Sequence, residues 1–361
     1  MLFKTTIALA SMALAAFAQG SQNYTSIFDL LKAQTGQTDQ LVTLLSAPQY
    51  SDLVSRLSSN GSNGTYTVFA PSDSAISKTV QALGQTYDFT NVILYHIANG
   101  TYTSSNLTNS STILYTLLTN SSFDLFPNNV GVPLDVTNNG TAIQVLYGLN
   151  VANVTQAGLS AGNGVVYIID AVLTPPLSPS QTVQQGGLSA LYNALNSTNS
   201  TSTLDGKHGI TIFAPIDKAF DAASLSGLNA SQIQNIIGYH VVDGVYFSNN
   251  LTSTNGPLNL TTEQGSNLTV THSGSTIQIT DVSGNETAKV VKADIITDNG
   301  VIHIIDTVLI PSTNGTIPNG TNTNFTNNGS SHSGASSFRG ADFSAMAVLV
   351  AAAAAAFTVL L

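Results

Sequence analysis

The chain has 361 residues, room for two ordinary domains, and only 8% of them are charged. With 9 Lys and Arg against 19 Asp and Glu the net charge is −10, and no basic cluster exists to neutralise phosphates, which argues against nucleic acid as a partner. The lack of cysteine excludes a disulfide framework, a thiolate nucleophile and a cysteine-based zinc site.

At the start, Lys4 precedes an apolar run over residues 7–17, and Ala16-Phe17-Ala18 supplies a small-x-small cleavage pattern before Gln19. Residues 1–18 therefore read as a secretory signal peptide, the run being short for a bilayer span. Beyond it, Ile27, Leu30 and Leu31, then Leu41, Leu44 and Leu45, then Leu53, Val54 and Leu57 recur at helical spacing. Breaks around Gly36 and Pro48 divide them into two or three helices.

A strand follows at Thr67-Val68-Phe69-Ala70, is stopped by Pro71, and gives way to a helix for which Asp73 is the expected N-cap. The same phrase returns as Thr211-Ile212-Phe213-Ala214-Pro215, with Asp217 as the expected cap. Next comes Asn91-Val92-Ile93-Leu94-Tyr95-His96-Ile97, closed by Gly100, matched at the same interval by Asn235-Ile236-Ile237-Gly238-Tyr239-His240-Val241, closed by Gly244. Alternating sequence such as residues 267–280 predicts a hairpin. Each half ends on a nearly continuous apolar strand, Asn163-Gly164-Val165-Val166-Tyr167-Ile168-Ile169-Asp170 and Asn299-Gly300-Val301-Ile302-His303-Ile304-Ile305-Asp306. Apolar residues at consecutive positions predict a strand buried on both faces. The second copy is shorter between its Tyr-His pair and this strand, a difference expected in loops. The chain is thus an internal repeat.

These three signatures in this order resemble the fasciclin domain, in both copies. The resemblance implies an α+β fold of two tandem domains, each a small β-sandwich or wedge carrying a layer of helices. It also implies an extracellular adhesion or matrix protein without catalytic activity or cofactor, laid out like fungal and plant cell-surface members. Domain boundaries are expected at 22–176 and 188–311, joined by a linker over 177–187. In animal relatives the segment around the Tyr-His pair is implicated in integrin binding; carried over, it points to Tyr95, His96, Tyr239 and His240 as an adhesion surface. The second pair is favoured, because Asn99 begins a sequon beside the first. The competing reading, and the weightier one, is that an aromatic and a histidine inside an apolar run fill a core.

Gly158-Leu159-Ser160-Ala161-Gly162 matches the nucleophile elbow of hydrolases, but that motif needs a strand before the serine and a helix after it, and here a strand follows. A hydrolase is accordingly disfavoured. No pair among His96, His208, His240, His272, His303 and His332 has the i, i+4 spacing of a helical zinc site. The alternative to adhesion is an extracellular carrier holding a lipid or small apolar ligand between helices and sheet.

Asn-x-Ser/Thr sequons begin at Asn23, Asn60, Asn63, Asn99, Asn106, Asn109, Asn120, Asn139, Asn153, Asn196, Asn199, Asn229, Asn250, Asn259, Asn267, Asn285, Asn314, Asn319, Asn324 and Asn328. Glycans there would supply the solvation that few charges provide. Residues 312–337 are rich in Asn, Thr, Gly and Ser and read as a disordered stalk. Small residues at 333–336, a polar spacer and a terminal apolar tail, the last two spanning 338–361, form a glycosylphosphatidylinositol signal with attachment at Ser333 or Gly334, or at Asn328. The expected partners are a cell-surface or matrix protein or a wall polysaccharide, with the membrane reached through the lipid.

Overall fold

The structure, a computed structural model, describes residues 24–311 apart from 63, 84–88, 224, 226, 255, 282–283 and 285. The signal peptide, the stalk, the attachment candidates Ser333, Gly334 and Asn328, and the sequons at Asn23, Asn63, Asn285, Asn314, Asn319 and Asn324 lie outside the described residues.

The apolar spacing of the first segment produces three short helices, α1 (Ile27–Ala33), α2 (Asp39–Leu45) and α3 (Ser51–Ser58), which bury Ile27, Leu30, Leu31, Leu41, Leu45, Leu53 and Leu57. There follow β1 (Tyr66–Pro71), α4 (Asp73–Leu83), α5 (Thr90–Tyr95), β2 (Ile97–Asn99), β3 (Thr112–Tyr115), β4 (Pro133–Asn138), β5 (Ile143–Tyr147), β6 (Asn150–Ala161) and β7 (Gly164–Ile169). The second half opens with α6 (Pro179–Gln185), α7 (Ser189–Ser197) and α8 (Thr201–Asp205). It continues as β8 (Ile210–Pro215), α9 (Asp217–Ala222), α10 (Ala230–Tyr239), β9 (Val241–Asp243), α11 (Ser248–Thr252), β10 (Leu258–Thr261), β11 (Asn267–Ser273), β12 (Thr276–Asp281), β13 (Thr287–Ile296) and β14 (Gly300–Ile305). Residues 177–187 are therefore not a free linker: α6 occupies them and packs on α7 and α8 as the first helix of the second domain. The hairpin expected over residues 267–280 is β11–β12.

Each domain holds one seven-stranded sheet, in the order β2-β1-β7-β6-β5-β4-β3 and, identically, β9-β8-β14-β13-β12-β11-β10. Rather than two sandwiched sheets, each sheet curls until its ends meet, at the bridges Ala98–Thr116 and Val242–Thr262, into a barrel-like shape. The phrase that opens each repeat and the strand that closes it pair in parallel, β1 with β7 and β8 with β14, while their other neighbours are antiparallel.

This central pair explains the continuous apolar text. Along β1, Tyr66, Val68 and Ala70 face a core beneath the helices, whereas Phe69 points into the barrel with Tyr95, Val165 and Tyr167. Along β8, Ile210, Ile212 and Ala214 face the helices and Phe213 the barrel. Alternate side chains enter different cores, so no position faces water.

The two domains pack together. Phe247, Ile296 and Val301 of the second domain join the barrel core of the first, and β13 lies against β4 and β5. The loop difference between the copies is concentrated here. Residues 262–266 connect β10 to β11, but residues 116–132 connect β3 to β4, and this longer connection reaches the second domain: the Leu125 amide donates to the Asp298 carbonyl at 2.9 Å. The Asp298 amide in turn donates to the Leu177 carbonyl at 3.0 Å.

Candidate functional site

The Tyr-His pairs, expected as an adhesion surface, are internal in both domains. Tyr95 and Tyr239 are 0% exposed and His96 and His240 each 4%. The tyrosines cap the barrel cores, and their hydroxyls donate to corresponding carbonyls at the start of β4 and β11, Tyr95 to Pro133 at 3.0 Å and Tyr239 to Asn267 at 3.2 Å. The reason is geometric: the residue that ends α5 or α10 sits over the open barrel, so its side chain points inward.

Each histidine is held at both ring nitrogens. His96 Nε2 accepts the Leu173 amide at 2.9 Å, so Nδ1 carries the proton and donates to the Val92 carbonyl at 2.7 Å. His240 repeats this with Leu309 at 3.0 Å and Ile236 at 2.8 Å. Burial pushes both imidazoles down to about 4, against the opposing effect of the carbonyl bond, so both are neutral at pH 7. They tie a helix end to the chain leaving the closing strand, and the Tyr-His surface is withdrawn as a docking site.

Asp73 and Asp217 stand at the first residue of α4 and α9, yet neither caps its own helix. Ser72 Oγ accepts the Ala75 amide at 3.3 Å, and Ile216, the N-cap of α9, has no side-chain oxygen to offer. The aspartates cap a neighbouring helix instead: Asp73 Oδ1 accepts the Gln40 amide of α2 at 2.8 Å, and Asp217 Oδ1 the Ala190 amide of α7 at 2.9 Å. Thr38 and Leu188, the N-caps of those helices, make no side-chain cap bond. The aspartates supply what is missing.

Sequence reasoning passed over two further repeated pins. Asn163 accepts the Ile27 amide at 2.7 Å and donates to the Leu57 carbonyl at 3.0 Å; Asn299 donates to the Leu204 carbonyl at 3.0 Å. Thr67 Oγ1 donates to the Gly100 carbonyl at 2.9 Å and accepts the Tyr102 amide at 2.9 Å, and Thr211 does the same with Gly244 at 2.7 Å and Tyr246 at 2.9 Å. The available signal was identity of residue type at the repeat interval. The exchange of Tyr167 for His303 follows the same logic: Tyr167 OH donates to the Tyr102 carbonyl at 2.7 Å, and His303 Nε2 to the Tyr246 carbonyl at 2.8 Å. Each ring stacks on the phenylalanine beside it, Phe69 or Phe213.

Ser160 is an exposed residue in the interior of β6, paired with Val165, and Gly158 (φ 72°) is the left-handed residue of a bulge. That is not the strand-turn-helix of a nucleophile elbow. Beneath the helices of the first domain lies an apolar cavity of about 30 Å³, bordered by Leu31, Leu45, Val68 and His96, and the second domain has a counterpart of about 20 Å³. Such volumes match a water molecule or two and not a lipid. Among the described residues no group of three His, Asp or Glu side chains is placed to hold a metal ion.

What reaches the surface is asparagine. Asn60, Asn99, Asn106, Asn109, Asn120, Asn139, Asn153, Asn196, Asn199, Asn229, Asn250, Asn259 and Asn267 are all exposed.

Residues 37–175 and 186–311 each match the fasciclin domain. The chain belongs to the fasciclin family, in two tandem copies. It is similar to a fasciclin-like arabinogalactan protein of Arthroderma benhamiae, 29% identical over 46% of this chain and 38% of that protein, and to fasciclin-like arabinogalactan protein CTB11 of Cercospora beticola, 30% identical over 50% of this chain and 47% of that one. Periostin of Homo sapiens is 26% identical over 76% of this chain and 32% of its own length. The chain thus spans less than half the length of these relatives. Among solved structures, a fasciclin domain pair from the insect cell adhesion molecule Fasciclin I is similar at 20% identity and a TM-score of 0.38, over 76% of this chain and 97% of that one.

Proposed function

We propose that the protein is an extracellular glycoprotein, held at the cell surface by a glycosylphosphatidylinositol anchor, that acts in cell adhesion or in organising the wall or matrix. One observation carries the reading: every sequon asparagine among the described residues is exposed, while the tyrosine, histidine and threonine side chains of the repeated motifs are spent on internal hydrogen bonds. A molecule built this way offers a sugar-coated exterior and a closed interior. It acts through its outer surface on a protein or polysaccharide partner, not through chemistry at a reactive centre. The relatives named as fasciclin-like arabinogalactan proteins support the same reading.

The test treats intact cells with a phosphatidylinositol-specific phospholipase able to cut the lipid in question and scores protein release together with cell attachment. Release accompanied by loss of attachment is expected. Retention on the membrane would refute the anchor, and release with undiminished attachment would refute the adhesive role. Enzymatic deglycosylation in heavy-oxygen water, followed by peptide mass mapping, should mark the exposed asparagines.

A further inference from the structure

The joint between the domains is lined by carboxyl groups that the fold itself does not need. Asp135 on β4 is 3% exposed, and Asp294 on β13, the strand that packs against β4, is 6% exposed. Asp298, in the turn between β13 and β14, carries the two backbone bonds to Leu125 and Leu177, and its Oδ1 is enclosed with no hydrogen-bond partner among the described residues. Strand register places Thr269 where the first domain has Asp135, and Gly158 and Gly162 where the second has Asp294 and Asp298. The same barrel therefore forms with an uncharged residue at all three positions.

Asp135 and Asp294 each bond within their own domain, and a bond between the segments that hold them crosses the joint. Ser111 Oγ donates to Asp135 Oδ1 at 2.7 Å, and the Ser111 carbonyl accepts from the Asn249 side chain of the second domain. Asp294 accepts the Ser248 amide at 2.7 Å and the Ser248 hydroxyl. We propose that the joint is a proton-operated clasp, closed while Asp135 and Asp298 hold their protons and loosened when they ionise.

The surrounding charges favour this. Burial, reinforced by Asp294, pushes Asp135 up to about 7; burial, reinforced by Asp205, does the same to Asp298. His303 lies behind Asp294, is driven towards its neutral form by burial, and donates to a carbonyl. Other ionisable groups on the strands packed against Asp135 are Tyr115 on β3, Tyr147 on β5, and Lys289 and Lys292 on β13. Beside Leu125, Asp124 is also pushed up by burial, with His208 of the second domain opposing. The sign follows from proton binding. The closed joint holds its protons more tightly than an open one, whose carboxyls titrate near about 4. Closure is therefore strongest below about pH 4, weakens as pH rises, and is weakest above about 7.

The experiment uses the whole chain, whose lack of cysteine permits site-specific spin labels at S55C on α3 and K218C on α9, both exposed positions. Between about pH 6 and about pH 8 the open-to-closed ratio should rise about tenfold for each carboxyl, seen as a reversible broadening of the label-to-label distance distribution. D135N and D298N together should keep the distribution narrow at both pH values. An unchanged wild-type distribution, or a double variant that opens like wild type, would overturn the clasp. Should the double variant not fold, carbon-13 carboxyl resonances of the unaltered chain decide: two aspartates titrating near 7 support the proposal, and all aspartates titrating below about 5 refute it.

Discussion

His96 and His240 show what a single side chain contributes to each domain. Each gives an orphan carbonyl and an orphan amide their partners inside an apolar layer, and does so only as the neutral ring with the proton on Nδ1. Because the folded values lie near 4 and an unfolded histidine titrates near 6.5, the native state binds fewer protons than the unfolded state between those limits. The stabilisation is complete above 6.5 and is lost as pH falls through that range, by about 3 kcal/mol for each ring. Urea unfolding at several pH values should show this slope, and H96Q, which cannot ionise, should remove about one proton's share of it. An H96Q profile as steep as wild type would refute the assignment.

Two elements depend on features that are small in the sequence. The parallel pair β8–β14 approaches so closely at Gly300 that an added Cβ would stand 1.9 Å from the Ile210 carbonyl oxygen. That partner is backbone and cannot turn away, so G300A should destabilise the chain by about 3 kcal/mol, measured by denaturant midpoint. Asp217 acts between helices: D217A should cost about 1 kcal/mol, and protection of the α7 amides from hydrogen exchange should fall before that of α9. If α9 loosened first, the aspartate would be capping its own helix after all. The repeat, its opening and closing strands, the β11–β12 hairpin and the helical spacing of the leading segment were legible because they are periodic and local. The destination of the aspartate was not, because its bond crosses residues 190–217.

For the whole molecule, the joint ties the two stabilities together. Phe247 belongs to the second domain by sequence and to the first domain's barrel core by packing. F247A should cost about 3 kcal/mol and split one calorimetric transition into two. Two transitions already present in the unaltered chain at pH 6 would show that the joint contributes little.

Two copies of one fold, the opening and closing strand of each and one hairpin were readable from residue order alone, because apolar periodicity and proline stops act over short stretches; three motifs in a fixed order carried the resemblance to the family. The tertiary structure decided that Tyr95, His96, Tyr239 and His240 are internal, that α6 belongs to the second domain, and that the domains meet across buried carboxyls. A polar residue in an apolar run can face solvent or a distant carbonyl with the same local text. Only the closure of the barrel, which sets Val92 and Leu173 on either side of His96, separates the two.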